Sequence, residues 1–384
     1  MPIDAGYVRQ VLRDLVRTNS VNPAFTAGAT TERAIAARTA ACLRELGLEV
    51  SEYAPDTDRV SVVGRLRGGT GPSVMLYAHY DTVGVEGMEE PFSGAERDGR
   101  LYGRGAYDMK GGLAACLGAV HAMRAAGVTP DGDVVVAAVA DEEVASIGMQ
   151  EVLRHVRTNA AIVTEPTELE LCLAHKGFCW ITVETLGRAA HGSRVDLGVD
   201  ANLRMGRFLA ALGDLERQLR ARAPHPLVGP PSLHAAVLHG GTGPSTYAAR
   251  STLQIERRTI PGETADDVMT EIENLAAPLR QADPSYEVTV RLDLARDPFE
   301  VAPDAGIVRA VRDAAAAARG HPVVDAGQTP WMDAAFLAAA GIETVVIGPA
   351  GAGAHATEEW VDVESVVRLA EILADAVTRY QAAS

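Results

Sequence analysis

Acidic and imidazole side chains follow one apolar run after another in this chain. The stretch VMLYAHYDTV (74–83) starts as a buried strand and finishes in His79 and Asp81; VVVAAVA leads into Asp141-Glu142-Glu143, AIVT into Glu165, and TVVIGPAGAGA into His355. Alternate residues of an extended chain share a face, so His79 and Asp81 should project together. A neutral imidazole is a common metal ligand and usually has a carboxylate at its other nitrogen or beside it. A His-Asp hydrogen bond at a strand end, with no further chemistry, is the alternative reading of this segment. The glycine-rich GRGAYDMKGG (103–112) adds Asp108 just ahead of a helix expected from Met109 or Leu113. Asp108 is there either a helix cap or, among glycines that let the backbone approach closely, part of a site.

His79, His355, Asp108, Glu143 and Glu165 form a donor set without thiolate, which suits zinc, cobalt or manganese. It is too large for one tetrahedral ion that keeps an open position, so two divalent ions are expected. One bridging hydroxide would neutralise the remaining charge and act as nucleophile, with a carbonyl polarised beside it. Glu142 is then the spare carboxylate, free to take the proton and pass it to a leaving amine.

These residues need elements that bring them to one place. The first 176 residues alternate helix-like stretches (31–46, 113–126) with strand-like ones (61–68, 73–81, 133–143, 160–166), the signature of an α/β sheet covered by helices. The pattern returns in GIETVVIGP (341–349) and the helical 363–380. In such open sheets ligands bind beyond the carboxyl ends of the strands, where the polar residues above fall. Between these blocks the rhythm changes. Strands are expected at 178–187, 232–240, 250–259 and 286–293 and helices at 200–222 and 264–282, in the order βαββαβ. That order closes as one antiparallel sheet with two helices on one face. The expected architecture is α/β: a discontinuous catalytic domain (1–177 and 293–384) with a mixed sheet covered by helices, interrupted by an inserted α+β lid or dimerisation domain (178–292).

Composition narrows the partners. With 384 residues, 47% of them hydrophobic, the chain can bury a large core. Its net charge of -16, from 35 Lys and Arg against 51 Asp and Glu, speaks against nucleic acid or an anionic membrane. Small molecules or short peptides fit better. No segment approaches 18 apolar residues without a charge, and the first residues lack the apolar stretch of a signal peptide, so a cytoplasmic protein is expected. Cys42, Cys116, Cys172 and Cys179 sit mostly in apolar periodic stretches without C-x-x-C spacing and read as reduced core residues.

The stretches AHYDTV, GRGAYDMKGG, ADEEVASIG, VTEPT, GRAAHGSRVDLGVDAN, ERRTIPGET and GAGAHATEEWVD, in this order, resemble the dinuclear zinc amidohydrolase and exopeptidase family of acetylornithine deacetylase, succinyl-diaminopimelate desuccinylase, carboxypeptidase G and aminoacylase. The resemblance covers nearly the whole chain. It implies a catalytic domain interrupted by a lid that commonly makes a homodimer. Asp108 would bridge the two ions, with His79 and Glu165 completing one site and Glu143 and His355 the other. Asp81 would orient His79, and Glu142 would be the general base and acid. His191 would reach the active site of a dimer partner and steady the oxyanion. Arg258 would bind a substrate carboxylate, although a pair with a neighbouring acid on the lid sheet reads equally well.

The chain departs from the family pattern on the lid. It has Glu256-Arg257-Arg258 where many members carry Asp-x-Arg, and Ser245-Thr246-Tyr247-Ala248 where many carry Asn-Val-Val-Pro. Ser245 is therefore a candidate substrate contact, and TPWMDAAF (329–336) resembles a substrate-side loop whose Asp333 and Trp331 would contact ligand. The implied activity is hydrolysis of an amide next to a free carboxylate, by an N-acyl amino acid deacylase or a carboxypeptidase-like enzyme. An aminopeptidase or dipeptidase of the same family is the alternative. A catalytically silent metal-bound protein is disfavoured because every ligand and base position is filled, and a phosphoesterase because no phosphate-gripping loop is evident.

Overall fold

Val-, Ala- and Ile-rich runs form the centre of the larger sheet. Strands Val74–His79, Val134–Val139 and Ala160–Val163 are buried at every residue, the pattern of parallel strands covered on both faces. The computed structural model describes residues 1–25 and 32–383. These divide into two compact units, the larger comprising Met1–Leu173, Val301–Ala326 and Met332–Ser384, the smaller Ala174–Glu300 and Gly327–Trp331.

In the larger unit the strands lie in the order Glu49–Asp56, Arg59–Leu66, Val134–Val139, Val74–His79, Ala160–Val163, Glu343–Val346, followed by the strand Leu171–His175, of which residues 171–173 belong to this unit. The strand Val74–His79 runs parallel to both of its neighbours, and Glu343–Val346 runs parallel to Ala160–Val163. Four adjacent strands thus finish on one edge. The outer pairings are antiparallel, Arg59–Leu66 with Val134–Val139 on one side and Val346 with Cys172 on the other, so the sheet is mixed as expected. Helix Gly111–Ala125 packs against Ala5–Arg17 and Val363–Ala382, and the last of these against Gly306–Arg319. Helices Arg33–Glu45 and Ile147–His155 pack on the outer strands Arg59–Leu66 and Glu49–Asp56. Thr31, at the start of the helix expected from 31 to 46, lies outside the described residues.

The helix expected from 113 begins at Gly111, after a wide turn over Ala106–Lys110. Lys110, not Asp108, occupies its cap position. The capping alternative for Asp108 therefore falls away, and its side chain is available to the site. The strand Glu49–Asp56 escaped the sequence reading because EVSEYAPD is an exposed edge without an apolar run.

The smaller unit has the strand order Ser232–Gly240, Arg250–Thr259, Gly177–Leu186, Val288–Arg296, antiparallel throughout. Helices Ala201–Ala221 and Ala265–Ala282 cover one face. Ile181, Val183, Leu253 and Ile255 from the sheet meet Phe208, Leu212, Leu219 and Ile272 from the helices in a buried core. Alternate residues of Gly177–Leu186 enter that core, the period of two that a half-buried strand requires. Asp200 caps the first helix, and Thr264 with Asp267 forms a capping box on the second. The expected boundaries at 178 and 292 fall inside this unit. Its strands pair out to Phe178 and Arg296, Ala174 and His175 pair with Glu300 and Phe299, and Trp331 packs edge-on against His175 and Phe178. All four cysteines of the chain are buried.

Candidate metal centre

The shared carboxyl edge of the four parallel strands gathers the acidic and imidazole residues. His79 closes its strand and is almost fully buried. Its Nδ1 lies 3.0 Å from the main-chain carbonyl of Asp81, which makes Nδ1 the N–H and leaves Nε2 with a lone pair that could take a metal. The Asp81 carboxylate is farther, at 3.6 Å, and has other work. It accepts the main-chain N–H groups of Glu142 at 3.0 Å and Glu143 at 3.2 Å, and an Asn22 amide N–H at 2.9 Å. The pair read from the strand end is thus real but divided: the carbonyl orients the imidazole and the carboxylate holds the next ligand loop.

Asp108 stands between the two histidines. Its Oδ1 is 3.2 Å from His79 Nε2 and its Oδ2 3.4 Å from His355 Nε2. Glu165 Oε1 lies 3.6 Å from His79 Nε2, Glu143 Oε2 3.1 Å from His355 Nε2, and Glu142 Oε2 4.0 Å from His79 Nε2. Donor atoms of His79, Asp108 and Glu143 lie within 4.8 Å of one another, as do those of His79, Glu142 and Glu165. All six residues read as ligands or base are therefore brought together, the imidazole of His355 on the solvent side with 54% of its side chain exposed.

The electrostatics are those of crowded acids. Burial, reinforced by neighbouring carboxylates, pushes Glu142 and Glu143 above the ordinary range and Glu165 up to about 8. Asp108 moves the other way: burial opposes its charge, but hydrogen bonds from His355 and His79 outweigh it. Hydrogen bonds to Asp108 and Glu143 lift His355 to about 10. Four carboxylates and two imidazoles in one small volume carry excess negative charge, and the donors are all oxygen or imidazole nitrogen. That combination fits divalent cations of the zinc, cobalt or manganese kind.

Close backbone packing supports the ligand loops. A Cβ at Gly112 would collide with the Thr164 carbonyl, and one at Gly348 with that of Glu165. Asp141, Ser146 and His355 adopt positive φ, uncommon for residues with a side chain. Behind Asp81, the Asn22 amide also donates to Asp141 Oδ1 at 2.9 Å, and Arg59 reaches Asn22 Oδ1 at 2.9 Å, Asp141 at 3.3 Å and Glu32 at 3.1 Å.

The substrate-side candidates are divided between the two units. Asp333 belongs to the larger unit and is fully buried, with its Oδ2 accepting the Tyr77 hydroxyl at 2.6 Å. Rather than presenting its carboxylate to solvent for a substrate, it adds to the charge that lifts Glu142 and Glu165. Trp331 belongs to the smaller unit and donates its Nε1 hydrogen to the Asp297 carbonyl at 3.0 Å. His191 and Ser245 are exposed neighbours there: His191 Nδ1 is 2.8 Å from Ser193 Oγ, and Gly192 N donates to the Ser245 carbonyl at 2.7 Å. Arg258 pairs with Glu256 at 2.7 Å, its guanidinium 5.2 Å from the Phe178 ring centre. Arg257 is fully buried between Glu263 and Glu271.

The sequence pattern of Peptidase family M20/M25/M40 matches residues 75–379. The chain belongs to this family. Acetylornithine deacetylase of Myxococcus xanthus is 31% identical to it over 332 residues, covering 84% of each chain. N-formyl-4-amino-5-aminomethyl-2-methylpyrimidine deformylase of Bacillus subtilis is 28% identical over 368 residues, covering 87% of this chain and 86% of its own. In fold, it resembles the crystal structure of the Bacillus subtilis protein YXEP, described as a dinuclear metal binding peptidase of the M20 family, with a TM-score of 0.76 at 16% identity over 98% of both chains. This M20 chain is a metal-dependent hydrolase of amide bonds.

Sequence reasoning missed the residues behind the ligands of this M20 site. Asn22 and Arg59 lie far from the ligand motifs, while Arg104 in GRGAYDMKGG and Glu359 in GAGAHATEEWVD lie inside them without a chemical signature of their own. The Asn-Pro of TNSVNP was a usable signal, since an Asn ahead of a proline marks a fixed turn.

Proposed function

We propose that this hydrolase cleaves an amide next to a free carboxylate, removing the acyl group of an N-acyl amino acid, with two divalent ions, zinc foremost. The observation that carries the reading is Asp108, which offers one oxygen toward His79 and the other toward His355. Glu165 completes the donors around His79 and Glu143 those around His355, while Glu142 stands 4.0 Å from His79 Nε2 as the spare carboxylate. Bound there, the ions supply an activated water and a Lewis acid for the scissile carbonyl.

The chain's own residues do the rest. Glu142 receives the proton of the attacking water on a carboxylate oxygen and hands it to the departing amine nitrogen. Asp81, by holding the N–H groups of Glu142 and Glu143, keeps base and ligand in register. Arg258 exchanges its partner Glu256 for the substrate carboxylate, gripping it with two N–H groups. Ser245 shapes the turn that carries His191 through its carbonyl. His191, brought by a second copy of the chain in a homodimer built through the smaller unit, steadies the oxyanion; the exposed Val195, Leu203 and Leu238 of that unit support an association. Acyl removal is favoured by the deacetylase and deformylase names of the two relatives. Among the described residues no helix is long and apolar enough to cross a membrane, and the buried cysteines suit a cytoplasmic setting.

Elemental analysis alongside amine release from a panel of N-acyl amino acids and free-amine dipeptides, with and without chelator, tests this. Two equivalents of metal and chelator-sensitive release from the acylated compounds are expected. Preference for free amines would replace the reading by an aminopeptidase or dipeptidase, and purified protein that takes up no metal would overturn it. Sedimentation at the mass of one chain would remove the role given to His191.

A further inference from the structure

Glu359 is a buried carboxylate outside the candidate donor set that touches the site from behind. Its Oε1 accepts the main-chain N–H groups of Tyr107 at 2.9 Å and Asp108 at 3.0 Å, and its Oε2 accepts Gly105 N–H at 3.0 Å and Arg104 Nη1 at 2.6 Å. Three converging N–H groups form an anion nest, and the carboxylate satisfies donors that would otherwise be buried without partners. Arg104 is equally occupied. Its Nε donates to the Gly84 carbonyl at 3.0 Å and its Nη2 to the Ala356 carbonyl at 2.9 Å. Glu359 and Arg104 therefore join the turn ending at Asp108, the segment after Asp81, and the loop that carries His355.

The two candidate ion positions are not supported alike. His79 is the last residue of a central strand, and Glu165 follows Thr164, whose N–H and hydroxyl both donate to the Tyr77 carbonyl at 3.1 and 2.8 Å. His355 sits on a loop with a left-handed backbone and a half-exposed side chain, and the residue after it is held by Arg104.

We propose that Glu359 and Arg104 are positioning residues for the metal pair: they set the Asp108 carboxylate between the two positions and tie it to the His355 loop, so that the ion held by Glu143 and His355 depends on them more than the ion held by His79 and Glu165. This rests on the two-ion reading above. Neither residue belongs to the proposed ligands or base. Their effect passes through the orientation of Asp108 and the placement of His355.

Metal-free protein titrated with Co²⁺, followed by visible absorption and calorimetry, reads the two ions separately. His355→Ala identifies the absorption band of the dependent position. In Glu359→Gln and Arg104→Lys the dependent ion should weaken by about 10- to 100-fold while the other shifts by less than about threefold. Glu359→Ala should weaken it further, because Gln keeps an oxygen for Tyr107 and Asp108 N–H while its amide faces Gly105 N–H and Arg104. Circular dichroism and melting of the metal-free variants establish that they fold, and the two conservative changes keep the test open if the alanine variant does not. Folded variants that bind both ions as the wild type does overturn the inference and leave the two-ion reading intact. Equal weakening of both ions overturns the asymmetry it asserts. A wild type that binds no Co²⁺ overturns the metal reading and this inference together.

Discussion

At the carboxyl edge of the larger sheet several of the residues proposed as ligands or base are held from behind. His79 is fixed by the Asp81 carbonyl, Glu142 and Glu143 by the Asp81 carboxylate, and Asp108 by Glu359. In the smaller unit the residues proposed to meet substrate are exposed or half-exposed, and each is restrained by a near neighbour in sequence: His191 by Ser193, Arg258 by Glu256. Metal ligation and proton transfer tolerate little displacement, and the groups proposed for them are preorganised by buried hydrogen bonds. In the proposed function, substrate recognition is left to side chains that can change partner on binding. The catalytic chemistry should therefore respond steeply to single changes in the larger unit, and the choice of substrate to changes in the smaller one.

Glu142→Ala is the strongest test of that contrast. Amine release should fall by about 10²- to 10⁴-fold, the contribution of a positioned proton-transfer group, while elemental analysis still finds two equivalents of metal. Loss of metal together with activity would instead make Glu142 a ligand, which its 4.0 Å distance from His79 Nε2 leaves geometrically open. Arg258→Ala should act on the other side of the comparison. A carboxylate gripped by a guanidinium is worth roughly 1.5 to 3 kcal/mol, so kcat/KM should fall about 10- to 100-fold, mainly through KM, with metal content unchanged. If Arg258→Ala changes neither constant, the pair with Glu256 is its whole role.

The same contrast explains what was legible in the sequence. Parallel strands announce themselves as apolar runs, and a polar residue that ends such a run stands out, so His79, Glu142, Glu143, Glu165 and His355 could be found before any coordinates. The insert was equally plain, because its two-residue and helical periods gave the order βαββαβ and, for Ser232–Gly240 and Arg250–Thr259, the same bounds as the structure. Its outer limits were not: Trp331 joins it through ring contacts with His175 and Phe178, residues distant from it in the chain. For the same reason Asn22, Arg59, Arg104 and Glu359 left no local signature, since their partners lie far away in sequence. The burial of Asp333 against Tyr77 was not legible either: TPWMDAAF offers it only through resemblance to a substrate-side loop, and the partner lies 256 residues away.

The smallest effect on chemistry, and the finest test of the support behind the ligands, belongs to Asn22. Its amide nitrogen donates one hydrogen to Asp81 and one to Asp141, while its oxygen accepts from Arg59. Asn22→Ala leaves two buried carboxylates short of a donor and should cost about 1 to 3 kcal/mol of stability by denaturant melt, with the order of substrates unchanged. Asn22→Asp keeps the acceptor for Arg59 but places a third carboxylate between two others, so near neutral pH it should be less stable than the alanine variant. The sign of the pH dependence follows. The introduced carboxyl, crowded by Asp81 and Asp141, has its folded pKa raised above its unfolded value. The aspartate variant therefore gains on the alanine variant as pH falls, because its folded state takes up a proton that the unfolded chain has not yet bound. A gap between the two variants that stays constant from pH 8 to pH 5 would show that Asn22 serves as packing and not as the donor that keeps Asp81 and Asp141 together.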